Sequence, residues 1–112
     1  MIKVGKLSES RELNESAKTR NMTKVDGMGY SGIWQLPSGK PGMVADAGDM
    51  ELAVLGDEEG IQLILQNEDG DMWYKDYPAA KEKDAVSDFK KMAAVMTDLV
   101  DASKLAKKYG LK

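Results

Sequence analysis

Between Pro78 and Tyr109, apolar or small residues recur at Ala85, Phe89, Met92, Met96, Leu99, Ser103 and Ala106. The spacings alternate four and three, which lines these side chains along one seam of a helix. Val86, Ala93 and Val100 widen the seam into the stripe that a core-facing helix carries. A helix this long with one apolar stripe needs a surface to lie on, and what precedes it reads as short strands and turns. Pro78 suits the first helical position, where its missing N–H would be unpaired anyway. Gly110 suits the left-handed residue beyond the last turn, with Leu111 folding back on Leu105 or Ala106. Lys104, Lys107 and Lys108 place cations where the helix dipole favours them. The expected helix therefore spans 78–109. The same heptad-like spacing would also serve a homodimer in which the helix pairs with its twin, Met92 and Met96 giving the seam a soft surface. Asp84, Asp88, Asp98 and Asp101 interleave with the lysines, which argues against a membrane-surface helix.

The surface for that helix comes from alternating segments. Met50, Leu52 and Val54 alternate with Glu51 and Ala53, and Ile61, Leu63 and Leu65 with Gln62 and Ile64, as half-buried strands do. Met43–Ala47 is a further short strand. Asp69-Gly70 is a preferred two-residue type I′ turn, so Glu68 is expected opposite Asp71, Asn67 opposite Met72 and Leu65 opposite Tyr74. That register puts Leu63, Leu65, Met72 and Tyr74 on the helix side. It leaves Trp73 beside Ile64 and Gln66 on the outer face, as an anchor for a partner.

Upstream, Ile2 and Val4 alternate with lysines and suggest a short edge strand over 1–6. The run from Ser8 to Lys24 is polar, with only Leu13 and Ala17 at helical spacing, and reads as an arm or a short helix. The expected division is a polar arm over 1–27 and one α+β domain over 28–112, its sheet within 28–77. Gly27-Met28-Gly29-Tyr30-Ser31-Gly32 matches the letters of a phosphate-binding glycine loop, but Ile33 to Leu36 continue as a strand and stop at Pro37. A dinucleotide loop must instead open a helix. The glycines are read as a bend in a strand over 28–36.

Charge is distributed unevenly along the 112 residues, whose net charge is −3. Residues 1–27 hold six Lys/Arg against four Asp/Glu, a net of +2; residues 28–77 hold two against ten, a net of −8. Residues 78–112 hold eight against five, a net of +3. An acidic middle repels nucleic acid and attracts basic partners. Its acids cluster at two expected turns, Asp57-Glu58-Glu59 and Glu68-Asp69-Gly70-Asp71.

Histidine and cysteine are both absent, which removes Ser-His-Asp and Cys-His catalysis, histidine zinc sites and disulfides. The acidic runs do not fit an EF-hand, which needs Gly sixth and Glu twelfth; counting from Asn67, Gly70 is fourth and Pro78 twelfth. Carboxylates at turn tips lack the pocket that acid–base chemistry on a sugar requires. No enzyme activity, cofactor or metal is expected. The absence of cysteine, of a long apolar run and of a signal-peptide pattern points to a cytoplasmic chain.

The expected fold is α+β: an antiparallel meander of four to five strands packed on one long C-terminal helix, with a polar N-terminal arm or short helix. The expected function is that of a non-catalytic acidic module binding a protein partner with a basic surface, without direct contact to nucleic acid or membrane. Asp57, Glu58, Glu59, Glu68, Asp69 and Asp71 would supply charge and Trp73 the anchor. Small phage-encoded inhibitors that cover a nucleic-acid-binding site share this size and charge, an analogy without a motif behind it. The alternatives are a self-assembling virion or scaffold subunit and a chaperone-like dimer.

Overall fold

Alternating apolar residues in three central segments build a sheet with two buried faces. The computed structural model describes residues 17–30, 32–97 and 100–112. Within them run β1 (Lys18–Asn21), α1 (Lys24–Met28), β2 (Met43–Ala47), β3 (Met50–Asp57), β4 (Gly60–Gln66), β5 (Met72–Pro78), a single 3₁₀ turn (Ala79–Lys81), α2 (Glu82–Val95) and α3 (Ala102–Lys108). The five strands form an antiparallel meander in chain order, and the C-terminal helices pack on one face. The α+β architecture is therefore as expected. Residues 1–16, with the edge strand expected over 1–6 and the short helix expected from Ser8, lie outside the described residues.

The helix-side core joins Leu52, Val54, Ile61, Leu63 and Leu65 of the sheet to Ala85, Phe89, Met92 and Met96. Phe89 is fully buried at its centre, a placement that stabilises by about 2–3 kcal/mol. The alternate residues Ala53 and Leu55 of β3 and Ile64 of β4, with Val44 of β2 and with Met22, form a second cluster on the outer face, and Tyr30 and Trp34 pack over it.

The expected single helix over 78–109 is two helices. Met96 adopts an extended backbone (φ −72°, ψ 127°) while remaining buried, so the expected seam holds to the end of α2; beyond the break Ser103 is exposed, and Ala102, Leu105 and Ala106 are the buried residues of α3. Asp101 then caps α3, its Oδ1 accepting from the N–H of Ser103 at 2.9 Å, from that of Lys104 at 3.4 Å and from the Ser103 hydroxyl at 2.6 Å. Those are orphan donors of a helix start. The four-three spacing carried on across the break and so concealed it. Pro78 ends β5 and precedes the 3₁₀ turn, and α2 begins at Glu82. At the other end the expectation holds: the N–H of Leu111 bonds to the Ala106 carbonyl at 2.9 Å, and Leu111 is buried.

Lys18–Asn21, expected as part of an arm, is a strand paired with β2 and lies at the edge of the sheet among the described residues. All four of its side chains are exposed. It is held through its backbone and so left no apolar signal in the sequence. The strand expected over 28–36 is also not formed. Thr23 and Asp26 make a reciprocal capping box that starts α1, and Arg20 reinforces it with bonds of 2.6 and 3.2 Å to Asp26. Gly27 sits where α1 meets Trp34: a Cβ there would lie 2.5 Å from the Trp34 Cβ. The glycine thus serves close packing of a layer over the sheet. Ser31, within the glycine run, lies outside the described residues.

Candidate functional site

The six acids singled out in the sequence cluster at opposite ends of β4, Asp57 closing β3 and the other five in or beside the two turns. That strand is seven residues long, so the turns stand about 20 Å apart. Glu58 and Glu59 connect β3 to β4, and the Asp57 carboxylate accepts from the N–H of Glu59 at 2.9 Å. Asp57 and Glu59 share a shallow depression of about 420 Å³ with Gln62, Asp76, Tyr77 and Pro78.

The β4–β5 turn is a three-residue loop, one residue longer than expected. Asn67 and Asp71 close it: the N–H of Asn67 bonds to the Asp71 carbonyl at 3.1 Å, and the Asn67 side-chain oxygen accepts from the N–H of Asp71 at 2.9 Å. Gly70 then takes the left-handed conformation at φ +90°, as the residue after a type I turn does in this loop class. The register consequently differs by one from the expected one. Leu65 pairs with Trp73, Ile64 with Tyr74 and Gln66 with Met72. A one-residue shift exchanges the faces of a strand.

Trp73 is therefore not an outer-face anchor. It packs half-buried against the helix-side core and lines a shallow space with Ser103, Lys107 and Leu111. Tyr74 and Met72 take the outer face instead, 38% and 37% exposed, with the Tyr74 hydroxyl 3.3 Å from the Met72 sulfur. The backbone of Tyr74 exchanges two hydrogen bonds of 2.8 Å with Lys112, which covers the β5 edge at that point.

Asp49, in the β2–β3 turn, was not singled out from the sequence and belongs with the second group of acids. It stands beside Glu68, whose carboxyl is pushed above its ordinary range, first by the hydrogen bond to Asp49, then by the charge of Asp49 and of Asp69. The meander brings the β2–β3 and β4–β5 turns to the same end of the sheet, a relation that no local pattern encodes. That end carries Asp49, Glu68, Asp69 and Asp71 next to the exposed Met72 and Tyr74. Farther along the outer face, Tyr30 reaches Glu51. Its hydroxyl is raised above the usual phenol value, first by burial, then by the charge of Glu51 and the hydrogen bond to it.

Among the described residues, no group of three or more acidic side chains is arranged to hold a metal ion, and no helix is long and apolar enough to cross a membrane. Compared with protein-family models, with curated proteins and with solved structures, the chain finds no match in any of the three.

Proposed function

We propose that the chain is a non-catalytic protein-binding module whose acidic sheet end meets a basic surface on a partner. The observation that carries this reading is the crowding of Asp49 and Glu68, which raises the proton affinity of Glu68. A Lys or Arg of a partner would stabilise both carboxylates and relieve the repulsion. Met72 and Tyr74, exposed beside the acids, add apolar contact, and aromatic residues are favoured at the centre of interfaces. A basic site that binds nucleic acid is the surface such an end would cover best, which keeps the inhibitor reading in view. The cysteine-free composition suits a reducing cytoplasm.

Affinity capture from the native host, read by mass spectrometry, tests the proposal with two variants. Reversing Asp49, Glu68, Asp69 and Asp71 to Lys should abolish capture of the partner. Reversing Asp57, Glu58 and Glu59 should leave it in place. Capture that survives the first reversal at low salt would overturn the reading.

A further inference from the structure

A groove of about 810 Å³ runs between α2 and the β1–β2 side of the sheet. Leu36, Pro41, Met43 and Val86 contribute its apolar surface, and Lys40, Lys83, Lys90 and Lys91 line it with positive charge. None of these four lysines forms an ion pair among the described residues. The carboxylate in the lining, Glu82, is engaged by Ser38, accepting from its N–H at 2.9 Å and its hydroxyl at 2.5 Å. The groove follows α2 from Glu82 to Ala94, a length of about 18 Å. A matching occupant is acidic, narrow and flanked by an apolar side chain.

We propose that this occupant is the β4–β5 hairpin tip of a second copy of the chain. The tip carries Glu68, Asp69 and Asp71, with Met72 exposed next to them. It cannot reach its own groove. β2 leaves the groove at Met43 and runs toward Asp49 at the acidic end, and β1–β2 and β4–β5 form opposite sides of the sheet. Tip-to-groove contact is therefore head-to-tail, and it propagates from copy to copy unless the rotation closes a ring. The inference rests on the acidic end being a docking surface and names a basic face that it fits. A hairpin tip buries little area, which places the contact among weak, salt-sensitive associations.

Sedimentation velocity on the full chain tests it. Association should grow with protein concentration at about 0.01 M ionic strength, where screening acts over about 30 Å, and vanish at about 1 M, where it acts over about 3 Å. Lys90→Glu with Lys91→Glu, and separately Glu68→Lys with Asp69→Lys, should each lower the association constant at least about a hundredfold, since like charges then face each other. Mixed together, the two variants should associate again, because the unchanged acidic tip of one meets the unchanged basic groove of the other and the reversed tip meets the reversed groove; this rescue also shows that both variants are folded. A wild type that stays monomeric at about 1 mM, the weakest affinity worth assigning to a contact, overturns the inference. So does association that persists in both variants. If the wild type is monomeric while tip reversal still abolishes partner capture, the groove assignment fails and the acidic-end reading stands. If association depends on the groove lysines and not on the tip acids, the tip is not the occupant and the inference is overturned.

Discussion

The Tyr77 hydroxyl donates to the Asp88 carboxylate, tying the last strand of the sheet to the middle of α2. Lys75, on the same face of β5, places its Nζ 3.6 Å from that carboxylate and 3.4 Å from the Tyr109 carbonyl. One acid of α2 thus holds two residues of β5. Tyr77→Phe keeps the ring and removes the donor. It is expected to destabilise the fold by about 1–2 kcal/mol, the low side of the range for a charged acceptor because water reaches Asp88. Urea unfolding at neutral pH, with an unchanged dependence on denaturant, is the measurement.

The same hydroxyl and that of Tyr30 are both held above the ordinary phenol value, in each case first by burial. An acid whose folded value is raised contributes stability that is complete below its unfolded value and is lost as pH rises through the folded one. Stability should therefore start to fall above about pH 10, the unperturbed tyrosine value. Lysines titrate there too, in every variant alike. The comparison that isolates the phenols is the doubly substituted Tyr30→Phe, Tyr77→Phe chain, whose unfolding midpoint should depend less steeply on pH between about 9 and 11 than that of the wild type.

Glu68 gives a pH dependence of the same sign, but at acidic values. Its carboxyl is raised by Asp49, so the folded chain holds the proton more tightly than the unfolded one. The resulting contribution is present at low pH and is lost as pH rises through the folded value, leaving a repulsion at neutrality. Glu68→Gln should raise the melting temperature at about pH 7 and change it little at about pH 3, below the unperturbed carboxylate values. A gain that is equal at both pH values would assign the effect to something other than the Asp49 charge.

Two glycines are required for different physical reasons, and alanine separates them. A Cβ on Gly70 would meet nothing within 4 Å, so Gly70→Ala tests only the backbone at φ +90°. The expected cost is about 1–2 kcal/mol. Gly27 has an ordinary backbone and no space, its Cβ falling 2.5 Å from that of Trp34. Gly27→Ala should cost about 1–3 kcal/mol by overpacking. It should also increase solvent exposure of Trp34, seen as a red shift in its fluorescence, which Gly70→Ala should not produce.

Much of this fold was written in local pattern. The alternation through β3 and β4 and the seam from Ala85 to Met96 survive as the buried core. What escaped has common causes. The α2–α3 break lies inside a spacing that runs through it, and Asp101, which stands among alternating acids and lysines, is a cap. β1 is held by backbone bonds with no buried side chain, so hydrophobic pattern cannot mark it. Lys24–Met28 carried a capping box whose meaning depends on Arg20 and on Trp34 packing against Gly27.

The hairpin shows how one local decision propagates. Asp69-Gly70 suits a two-residue turn, but the side chain of Asn67 and the backbone of Asp71 close a loop one residue longer. Every residue of β5 then changes face, which moves the exposed aromatic from Trp73 to Tyr74. The acids do lie at the ends of β4, as their turn residues imply. Their grouping was not legible, because the neighbour of Glu68 is Asp49, from a different hairpin.

That exchange of faces gives the sharpest separation of stability from recognition. Trp73→Ala removes a half-buried side chain that packs against the core. It should destabilise by about 2–3 kcal/mol, less than a fully buried Trp, because part of the ring already meets water. Tyr74→Thr changes an exposed residue to another that favours strands, and its stability should stay within about 1 kcal/mol of the wild type. Partner binding should show the reverse order. Under the proposed function Tyr74 borders the acidic end, so Tyr74→Thr should weaken capture of a partner, while Trp73→Phe should leave it unchanged. Chemical denaturation and quantitative capture on the same three variants measure both effects. Capture lost with Trp73→Phe and retained with Tyr74→Thr would move the contact surface to the helix side of the sheet.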